Sequence, residues 1–202
     1  MCGIVAVTGA PSALPILLNG LARLEYRGYD SAGVVLQQDG LWMEKKAGKL
    51  AVLVDSLGDD GPKAPTTGIG HTRWATHGKP VDHNAHPHVD HRGKVAIVHN
   101  GIIENYVELK EAMIAEGHVF TSETDTEVLA HLIGLEFDTG LGLAEAVRSA
   151  LRKVEGSFAI AVLHADLPPR DRRPARFAID MWTYGLAGFA GVRHPRDPLR
   201  DA

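Results

Sequence analysis

A short turn between two strand-like segments is the feature that most constrains the fold of this chain. Residues 31–37 and 41–46 have the composition of strands, and the turn between them contains Asp39 and Gly40. An Asp-Gly pair flanked by such segments is typical of a β-hairpin, whose strands run antiparallel. We therefore predict an antiparallel sheet, because the regular βαβ period of a doubly wound parallel fold is missing.

Strand and helix patterns alternate along the rest of the chain. Leucines at helical spacing predict a helix over residues 14–24. Further helices are predicted over residues 50–57, 106–116, 125–136 and 143–154, and strands over residues 3–8, 95–99 and 157–163, with another strand running into His71. Residues 72–93 are predicted to be irregular. The spacing of Thr124 and Glu127 predicts a capping box at the start of one helix.

Composition limits the class of protein further. The chain has 202 residues, of which 45% are hydrophobic, so one domain with a sizeable core is expected. A net charge of -4, without a basic block over about the first 165 residues, argues against nucleic acid as a partner. The single cysteine permits no internal disulfide, and the first apolar run is too short to span a membrane. We therefore expect a cytoplasmic protein without membrane contact.

The only cysteine, Cys2, directly follows the initiator methionine. Removal of Met1 would give Cys2 both a thiol and a free α-amino group, so that nucleophile and base share one residue. A terminal amine has a pKa of about 7.7–8.0, and near pH 7 its neutral fraction can accept the thiol proton. The alternative is a small apolar residue at the start of a strand, since unpaired cysteines are commonly buried and inert.

Four further segments concentrate residues that carry chemistry. They are Glu25-Tyr26-Arg27-Gly28-Tyr29-Asp30-Ser31-Ala32-Gly33, Gly70-His71-Thr72-Arg73-Trp74-Ala75-Thr76-His77-Gly78, His99-Asn100-Gly101-Ile102-Ile103-Glu104-Asn105 and Ser122-Glu123-Thr124-Asp125-Thr126-Glu127. Together with Cys2-Gly3, these strings closely resemble the glutamine amidotransferase domain of the glutamine:fructose-6-phosphate aminotransferases, also called glucosamine-6-phosphate synthases. The resemblance runs from Cys2 to about Asp166. Related amidotransferases share only the Cys-Gly, Arg-Gly and Asn-Gly pairs, whereas the strings around Arg27 and Arg73 resemble the sugar-phosphate branch.

The resemblance implies an α+β fold, a four-layer αββα sandwich of antiparallel sheets of the N-terminal nucleophile hydrolase type. The divergence of the chain from the family after about Asp166 predicts that this sandwich is incomplete at its C-terminus. The implied reaction is attack of Cys2 on the side-chain amide of glutamine, through a γ-glutamyl thioester, to give glutamate and ammonia. It implies no metal and no organic cofactor. In a complete family member, two isomerase domains use the ammonia to convert fructose 6-phosphate to glucosamine 6-phosphate. Those domains are absent from these residues, so fructose 6-phosphate is expected as a partner only through them.

The resemblance also implies the site residues. In the family pattern, the Asn100 side chain and the Gly101 backbone N–H form an oxyanion hole for the charge that develops on the attacked amide oxygen. Arg73 and Asp125 match the residues that bind the α-carboxylate and the α-ammonium of free glutamine. Each position has a structural alternative: a turn for the Asn-Gly pair, a surface arginine, and a helix-dipole partner for Asp125.

Further positions match the family pattern around this site. Thr76 and His77 resemble additional substrate contacts, and Trp74 resembles part of the loop that folds over bound glutamine. Three residues are expected to support the site, and they are Arg27, Gly28 and His86.

Seven of the eleven histidines lie within residues 71–99, so a metal site is an alternative. The cluster of His83, His86, His88 and His91 has spacings that suit pairs of ligands, but neither a cysteine nor a helical pair four residues apart accompanies it. We therefore predict no metal site. Two other functions stay open: a histidine-rich metal-binding module, and a catalytically weak or silent remnant that serves as an interaction domain.

The composition changes abruptly after about Asp166. The last lysine is Lys153 and the last glutamate is Glu155, whereas residues 167–202 hold seven arginines and five of the eleven prolines. We therefore divide the chain into an amidotransferase domain, residues 1–166, and a divergent tail, residues 167–202. An out-of-frame or truncated product would explain the tail, and a genuine basic binding arm is the alternative. The first explanation predicts a disordered tail, low stability and weak glutaminase activity.

Overall fold

The computed structural model describes residues 2–58, 62, 64–75 and 78–167. Within these ranges the chain forms seven β-strands and five α-helices. The strands are β1 (Gly3–Val7), β2 (Ser31–Gln37), β3 (Leu41–Ala47), β4 (Gly68–Arg73), β5 (His88–Val89), β6 (Val95–Ile103) and β7 (Gly156–His164). The helices are α1 (Ala13–Leu24), α2 (Leu50–Leu57), α3 (Tyr106–Ala115), α4 (Asp125–Asp138) and α5 (Leu143–Leu151).

The strands form two antiparallel sheets. Sheet A has the order β1-β4-β2-β3, and sheet B has the order β5-β6-β7. The predicted hairpin between β2 and β3 is confirmed, with Asp39 and Gly40 both at positive φ in its turn. Gly3 of β1 pairs with Thr72 of β4, and Ser31 of β2 pairs with Arg73. The starts of β1 and β2 therefore lie on either side of the end of β4.

Alternation of side chains along the strands of sheet A creates two apolar layers. On β2, Val34 and Leu36 pack against Leu17 of α1 and Leu53 of α2, whereas Val35 belongs to the layer between the two sheets. Helices α1 and α2 therefore cover the outer face of sheet A.

Sheet B is divided in the same way. On β6, Val95 and Ile97 pack against α3, α4 and α5, whereas Ala96 and Val98 face sheet A. The order of layers is helices, sheet A, sheet B, helices, and the predicted four-layer αββα sandwich is confirmed.

Two local predictions were wrong. Strand β6 does not end at His99 but continues to Ile103, because Asn100 and Gly101 keep their pairing with Ala159 and Phe158 of β7. The stretch predicted to be irregular contains the short strand β5, which pairs with β6.

The predicted capping box is also absent from the start of α4. Thr124 is the N-cap residue, but its side chain makes no capping hydrogen bond. Glu127 instead accepts hydrogen bonds from the backbone N–H and the hydroxyl of both Thr121 and Ser122. Four donors in the preceding segment thus compete successfully for the carboxylate that a capping box would use.

Two further predictions concern membrane contact and the C-terminal tail. Among the described residues, no helix is both long and apolar enough to cross a bilayer. Residues 168–202, to which the predictions of a disordered tail and an incomplete sandwich apply, lie outside the described residues.

Candidate active site

One end of the space between the two sheets changes from apolar to polar. On β4, Ile69 belongs to the apolar layer between the sheets, and His71 and Arg73 follow it at alternate positions on the same face. On β6, Val98 belongs to that layer, and Asn100 is the next residue on its face. The alternation therefore carries three polar side chains into the gap between the sheets.

Cys2 joins this group because it immediately precedes β1. Ile4 and Ala6 of β1 pack in the layer between the sheets, so Cys2, at the same parity, lies on the inner face of sheet A. Cys2, Arg73 and Asn100 border a cavity of about 540 Å³, a volume that suits a small-molecule ligand. Its lining consists of Cys2, Arg27, Arg73, Trp74, His86, His99, Asn100, Gly101, Ile102, Thr124, Asp125 and Thr126.

The Cys2 thiol is held by the backbone of Trp74. Its Sγ accepts a hydrogen bond of 3.3 Å from the Trp74 N–H and lies 3.6 Å from the Trp74 carbonyl oxygen. Burial raises the pKa of the Cys2 thiol above its ordinary value, although the Trp74 N–H opposes this shift. The thiol is therefore protonated near neutral pH, and it needs a base to become a nucleophile.

Gly28 allows the close approach that positions this N–H. A Cβ at Gly28 would lie 2.7 Å from the Arg73 carbonyl carbon and 3.0 Å from the Trp74 nitrogen. Asp30 holds the next residue of the same segment, because its carboxylate accepts a hydrogen bond from the Ala75 N–H. The segment around Gly28 and the segment after β4 are thus packed backbone to backbone beside the thiol.

The side-chain amide of Asn100 is oriented from both ends. His71 Nε2 lies 2.8 Å from Asn100 Oδ1, and Asn100 Nδ2 donates a hydrogen bond of 3.3 Å to the Cys2 carbonyl oxygen. Burial lowers the pKa of His71 to about 3, so its ring is neutral. Because an amide oxygen only accepts, His71 carries its proton on Nε2 and donates to Asn100. This directs the Asn100 NH₂ group toward Cys2.

Arg73 and Asp125 bring opposite charges to the cavity. Arg73 is 3% exposed, and its guanidinium donates hydrogen bonds to the carbonyl oxygens of Gly78 and Lys79. Burial lowers the pKa of Arg73, but Asp30 and Asp125 oppose this shift, and arginine stays charged at any ordinary pH. Asp125 lies in the first turn of α4, where its Oδ2 accepts a hydrogen bond of 2.9 Å from the Ile103 N–H.

Buried histidines support the floor of the cavity. His86 Nε2 and His99 Nδ1 both bond to the Thr126 hydroxyl, at 2.9 Å and 2.8 Å, and His88 Nε2 lies 3.1 Å from the Thr124 hydroxyl. Burial lowers the pKa of His86 and of His88 well below its ordinary value, so both rings are neutral at pH 7. These contacts give His86 a supporting position.

The rim of the cavity is more exposed than its floor. Trp74 is 48% exposed and meets the ring of Tyr29 edge to face, with ring centroids 5.4 Å apart. Arg27 is also exposed, and its Nε donates a hydrogen bond to the Tyr26 hydroxyl. An exposed tryptophan at the rim of the cavity is suited to covering a ligand.

The structure brings together most of the residues predicted from the sequence. Eight of them line the cavity, and these are Cys2, Arg27, Arg73, Trp74, His86, Asn100, Gly101 and Asp125. Gly28 packs directly behind them. Thr76 and His77 lie outside the described residues, so their predicted substrate contacts stay predictions.

Four residues of this site are not predicted from the sequence, although each lies in one of the motifs described above. They are Asp30, His71, His99 and Thr126. For His71 a signal exists in hindsight, since it occupies the same strand face as Arg73, two residues away. Thr126 gives no such signal, because its hydroxyl is hydrogen-bonded to two histidines, His86 and His99, that lie in distant parts of the chain.

Comparisons with known proteins identify the family of this chain. The glutamine amidotransferase domain profile matches residues 71–172. The glutamine–fructose-6-phosphate aminotransferase (isomerizing) of Streptomyces coelicolor is 49% identical over 207 residues, which cover 98% of this chain and 34% of that protein. The enzyme of the same name from Aquifex aeolicus is 58% identical over 171 residues, covering 84% of this chain and 28% of that protein.

The fold is also similar to those of solved structures. The glutamine phosphoribosylpyrophosphate amidotransferase from B. subtilis, complexed with ADP and GMP, matches with a TM-score of 0.69 and 27% identity, over 82% of this chain and 35% of that one. A structure described as the allosteric regulatory enzyme of purine biosynthesis matches with a TM-score of 0.70 and 28% identity, over 81% of this chain and 35% of that one.

The fold and the profile together define a class of protein, the class II glutamine amidotransferases, whose N-terminal nucleophile hydrolase fold was predicted and is confirmed. The chain belongs to the glutamine amidotransferase domain family. It spans about a third of the length of the curated relatives, with 34% and 28% of the two aminotransferases covered.

Proposed function

We propose that this chain hydrolyses glutamine to glutamate and ammonia, with Cys2 as the nucleophile. The observation that carries the proposal is the shared cavity, which places the Cys2 thiol beside the Asn100 amide, the Arg73 guanidinium and the Asp125 carboxylate. A nucleophile, an oxyanion donor and two opposite charges are the groups that hydrolysis of a free amino-acid amide requires.

Glutamine is bound at its α-substituents. The Arg73 guanidinium forms paired hydrogen bonds with the α-carboxylate, for which its planar donors are suited. The Asp125 carboxylate pairs with the α-ammonium. Asp125 is 5% exposed, so this ion pair is screened little by solvent. The side-chain amide of glutamine then extends toward Cys2, and Trp74 covers it.

The first chemical step forms a thioester. After removal of Met1, the α-amine of Cys2 takes the thiol proton, and the sulfur attacks the side-chain carbonyl carbon of glutamine. The C=O electron pair moves to oxygen, where the Asn100 NH₂ group and the Gly101 N–H donate hydrogen bonds. Collapse of this intermediate breaks the C–N bond, and the proton held by the amine passes to the departing nitrogen. Ammonia and a γ-glutamyl thioester result.

The second step hydrolyses the thioester. The neutral α-amine accepts a proton from water, which attacks the thioester carbonyl and forms a second oxyanion in the same hole. The C–S bond breaks, and the thiolate recovers the proton. Glutamate leaves, and no metal or redox step enters this sequence.

The use of the ammonia follows from the relatives. We propose that it aminates fructose 6-phosphate when the remaining two thirds of an aminotransferase of that name accompany this domain. An assay of the 202-residue chain is expected to show glutamate release without glucosamine 6-phosphate formation.

Replacement of the nucleophile tests the proposal. Cys2→Ala is expected to abolish glutamate release, and 6-diazo-5-oxo-norleucine is expected to label Cys2 of the parent chain, as located by peptide mass spectrometry. Cys2→Ala with undiminished glutaminase activity would contradict the assignment. A folded parent chain that releases no glutamate and takes up no label would establish the silent interaction domain instead. Retention of Met1 in an active preparation, measured by intact mass, would exclude the terminal amine as the base.

A further inference from the structure

Three histidines outside the proposed active site meet between different parts of the fold. His91 lies in the turn between β5 and β6, His118 lies in the connection from α3 to α4, and His131 lies within α4. One ring nitrogen of each lies within 4.8 Å of the others. Among the residues that the structure describes, no other group of three histidine, cysteine or acidic side chains has ligand atoms so close together.

The separation of these nitrogens is close to that of a zinc site. Zn–N bonds of about 2.0–2.1 Å in a tetrahedral arrangement place the ligand nitrogens roughly 3.4 Å apart. The nitrogens of this triad therefore need to approach by at most about 1.4 Å, from 4.8 Å. The His91 side chain is 24% exposed and His118 is partly exposed, so both rings border solvent, and the two rings already contact each other.

The buried member of the triad has an unused nitrogen. His131 is 1% exposed, and its Nδ1 is buried without a hydrogen-bond partner. An unpaired polar atom in such a place is destabilising, and a cation bound at this nitrogen would offset that cost. His131 also stacks on Phe120, with ring centroids 4.5 Å apart, and this contact holds the imidazole in place.

Two carboxylates lie close to the ring nitrogens of His91. Its Nε2 lies 3.7 Å from Asp138 Oδ2, and its Nδ1 lies 4.0 Å from Asp90 Oδ2. Whichever nitrogen binds a metal, the other therefore has a carboxylate close to it. Metal-binding histidines commonly donate their second N–H to such a group, which orients the ring and strengthens the bond to the metal.

We propose that His91, His118 and His131 form a binding site for a divalent transition-metal ion of the zinc class. Water completes the coordination at the exposed side of His91. The site joins the β5–β6 turn to the connection that leads into α4, and Asp125 begins that helix. A bound ion thus stabilises the segment that positions Asp125, at a location separate from the lining of the cavity. The spacing of histidines along the sequence does not indicate this site, because its three residues are far apart in the chain.

Zinc titration of the untagged full chain tests the site. The titration uses the Cys2→Ala background, because a cysteine thiolate would otherwise compete for the metal. After chelator treatment, Zn²⁺ is titrated in competition with a chromophoric chelator. We expect one ion per chain and a loss of affinity of roughly 100-fold in His91→Gln and in His118→Gln. The matched control is His83→Gln, which alters an exposed histidine outside the triad and is expected to leave the affinity unchanged.

Two further measurements make every outcome decisive. Saturating Zn²⁺ is expected to raise the Tm of the Cys2→Ala chain by roughly 5 °C, and that of the triad variants in the same background by much less. Co²⁺ is expected to give the visible absorption of a four-coordinate site in the Cys2→Ala chain, whether or not the triad variants fold. Absence of stoichiometric Zn²⁺ binding, or equal affinity in the two triad variants and the control, would overturn the proposal and leave the cluster as aromatic packing.

Discussion

The orientation of one amide group determines whether the cavity presents a hydrogen-bond donor beside the Cys2 thiol. Asn100 could point either its oxygen or its NH₂ group at Cys2, and an oxygen there would repel a developing oxyanion. The neutral His71 ring donates to Asn100 Oδ1, at 2.8 Å, and so selects the orientation that exposes the donor. His71 is therefore a positioning residue, whose effect on the reaction passes through Asn100.

Replacing His71 is expected to change turnover more than binding. His71→Leu removes the donor and frees the amide to rotate, so kcat for glutamine hydrolysis should fall by about 10- to 100-fold while KM changes little. His71→Gln retains an N–H donor and should recover part of the loss. Steady-state kinetics of both variants provide the measurement. An increase in KM at constant kcat in His71→Leu would show that His71 acts on substrate binding instead.

Arg73 is expected to show the opposite pattern. Arg73→Ala removes the cation proposed to bind the α-carboxylate and should raise KM for glutamine by about 100-fold or more, because a charge-assisted pair is lost at a buried position. Arg73→Lys keeps the charge without the paired donors and should lie between Ala and the parent. An unchanged KM in Arg73→Ala would mean that the carboxylate binds elsewhere.

At the scale of the elements, the sheet pairings explain what sequence patterns reveal and what they hide. The leucine periodicity of α1 and the Asp-Gly turn of the β2–β3 hairpin are local signals, so both were predictable from short windows. The extension of β6 beyond His99 was not predictable from a short window, because an Asn-Gly pair favours turns locally. In this structure the pairing with β7 outweighs that preference, and Gly101 accommodates it at φ 138°.

The candidate active site is likewise predictable from the sequence only in part. The identities of Cys2, Arg73 and Asn100 were available from motifs, but motifs contain no information on which strand faces meet. The pairing of β1 with β4, and the stacking of sheet A on sheet B, place these side chains around one cavity. Contacts such as the two histidines on Thr126 arise only from that tertiary packing.

Gly28 provides a test of the close approach behind the thiol. Gly28→Ala places a Cβ 2.7 Å from the Arg73 backbone, so the segment that carries the Trp74 N–H must shift. We expect kcat/KM for glutamine to fall by about 10- to 100-fold, since small displacements of a catalytic group are costly. Gly142→Ala is a control for a glycine substitution, because Gly142 has a φ of -65° that alanine can adopt and its Cβ would meet no atom within 4 Å. Equal activity in the two variants would show that the close approach at Gly28 is dispensable.

For the molecule as a whole, the interior holds basic groups that cannot be charged there. His71, His86 and His88 are at most 5% exposed, and burial lowers the pKa of each of them. In the unfolded chain the same imidazoles have pKa values of about 6.5. Below that pH the unfolded state therefore binds more protons than the folded state, and the free energy of unfolding falls as the pH falls.

The folded protein should accordingly lose stability in mildly acidic solution. Because the pKa of His71 drops to about 3 on folding, its neutral form is kept through the whole interval from pH 6.5 to 3. By pH 5.5 this residue alone should lower the free energy of unfolding by about 1.4 kcal/mol relative to the neutral range. Urea denaturation at pH 7.5, 6.5 and 5.5 measures the change, above the range in which Glu127 and other carboxylates titrate. His71→Gln should reduce the dependence by about the contribution of this residue, whereas His83→Gln, at an exposed position, should leave it intact. A free energy of unfolding that stays constant from pH 7.5 to 5.5 would show that these imidazoles gain protons without unfolding, and that water reaches the space between the sheets.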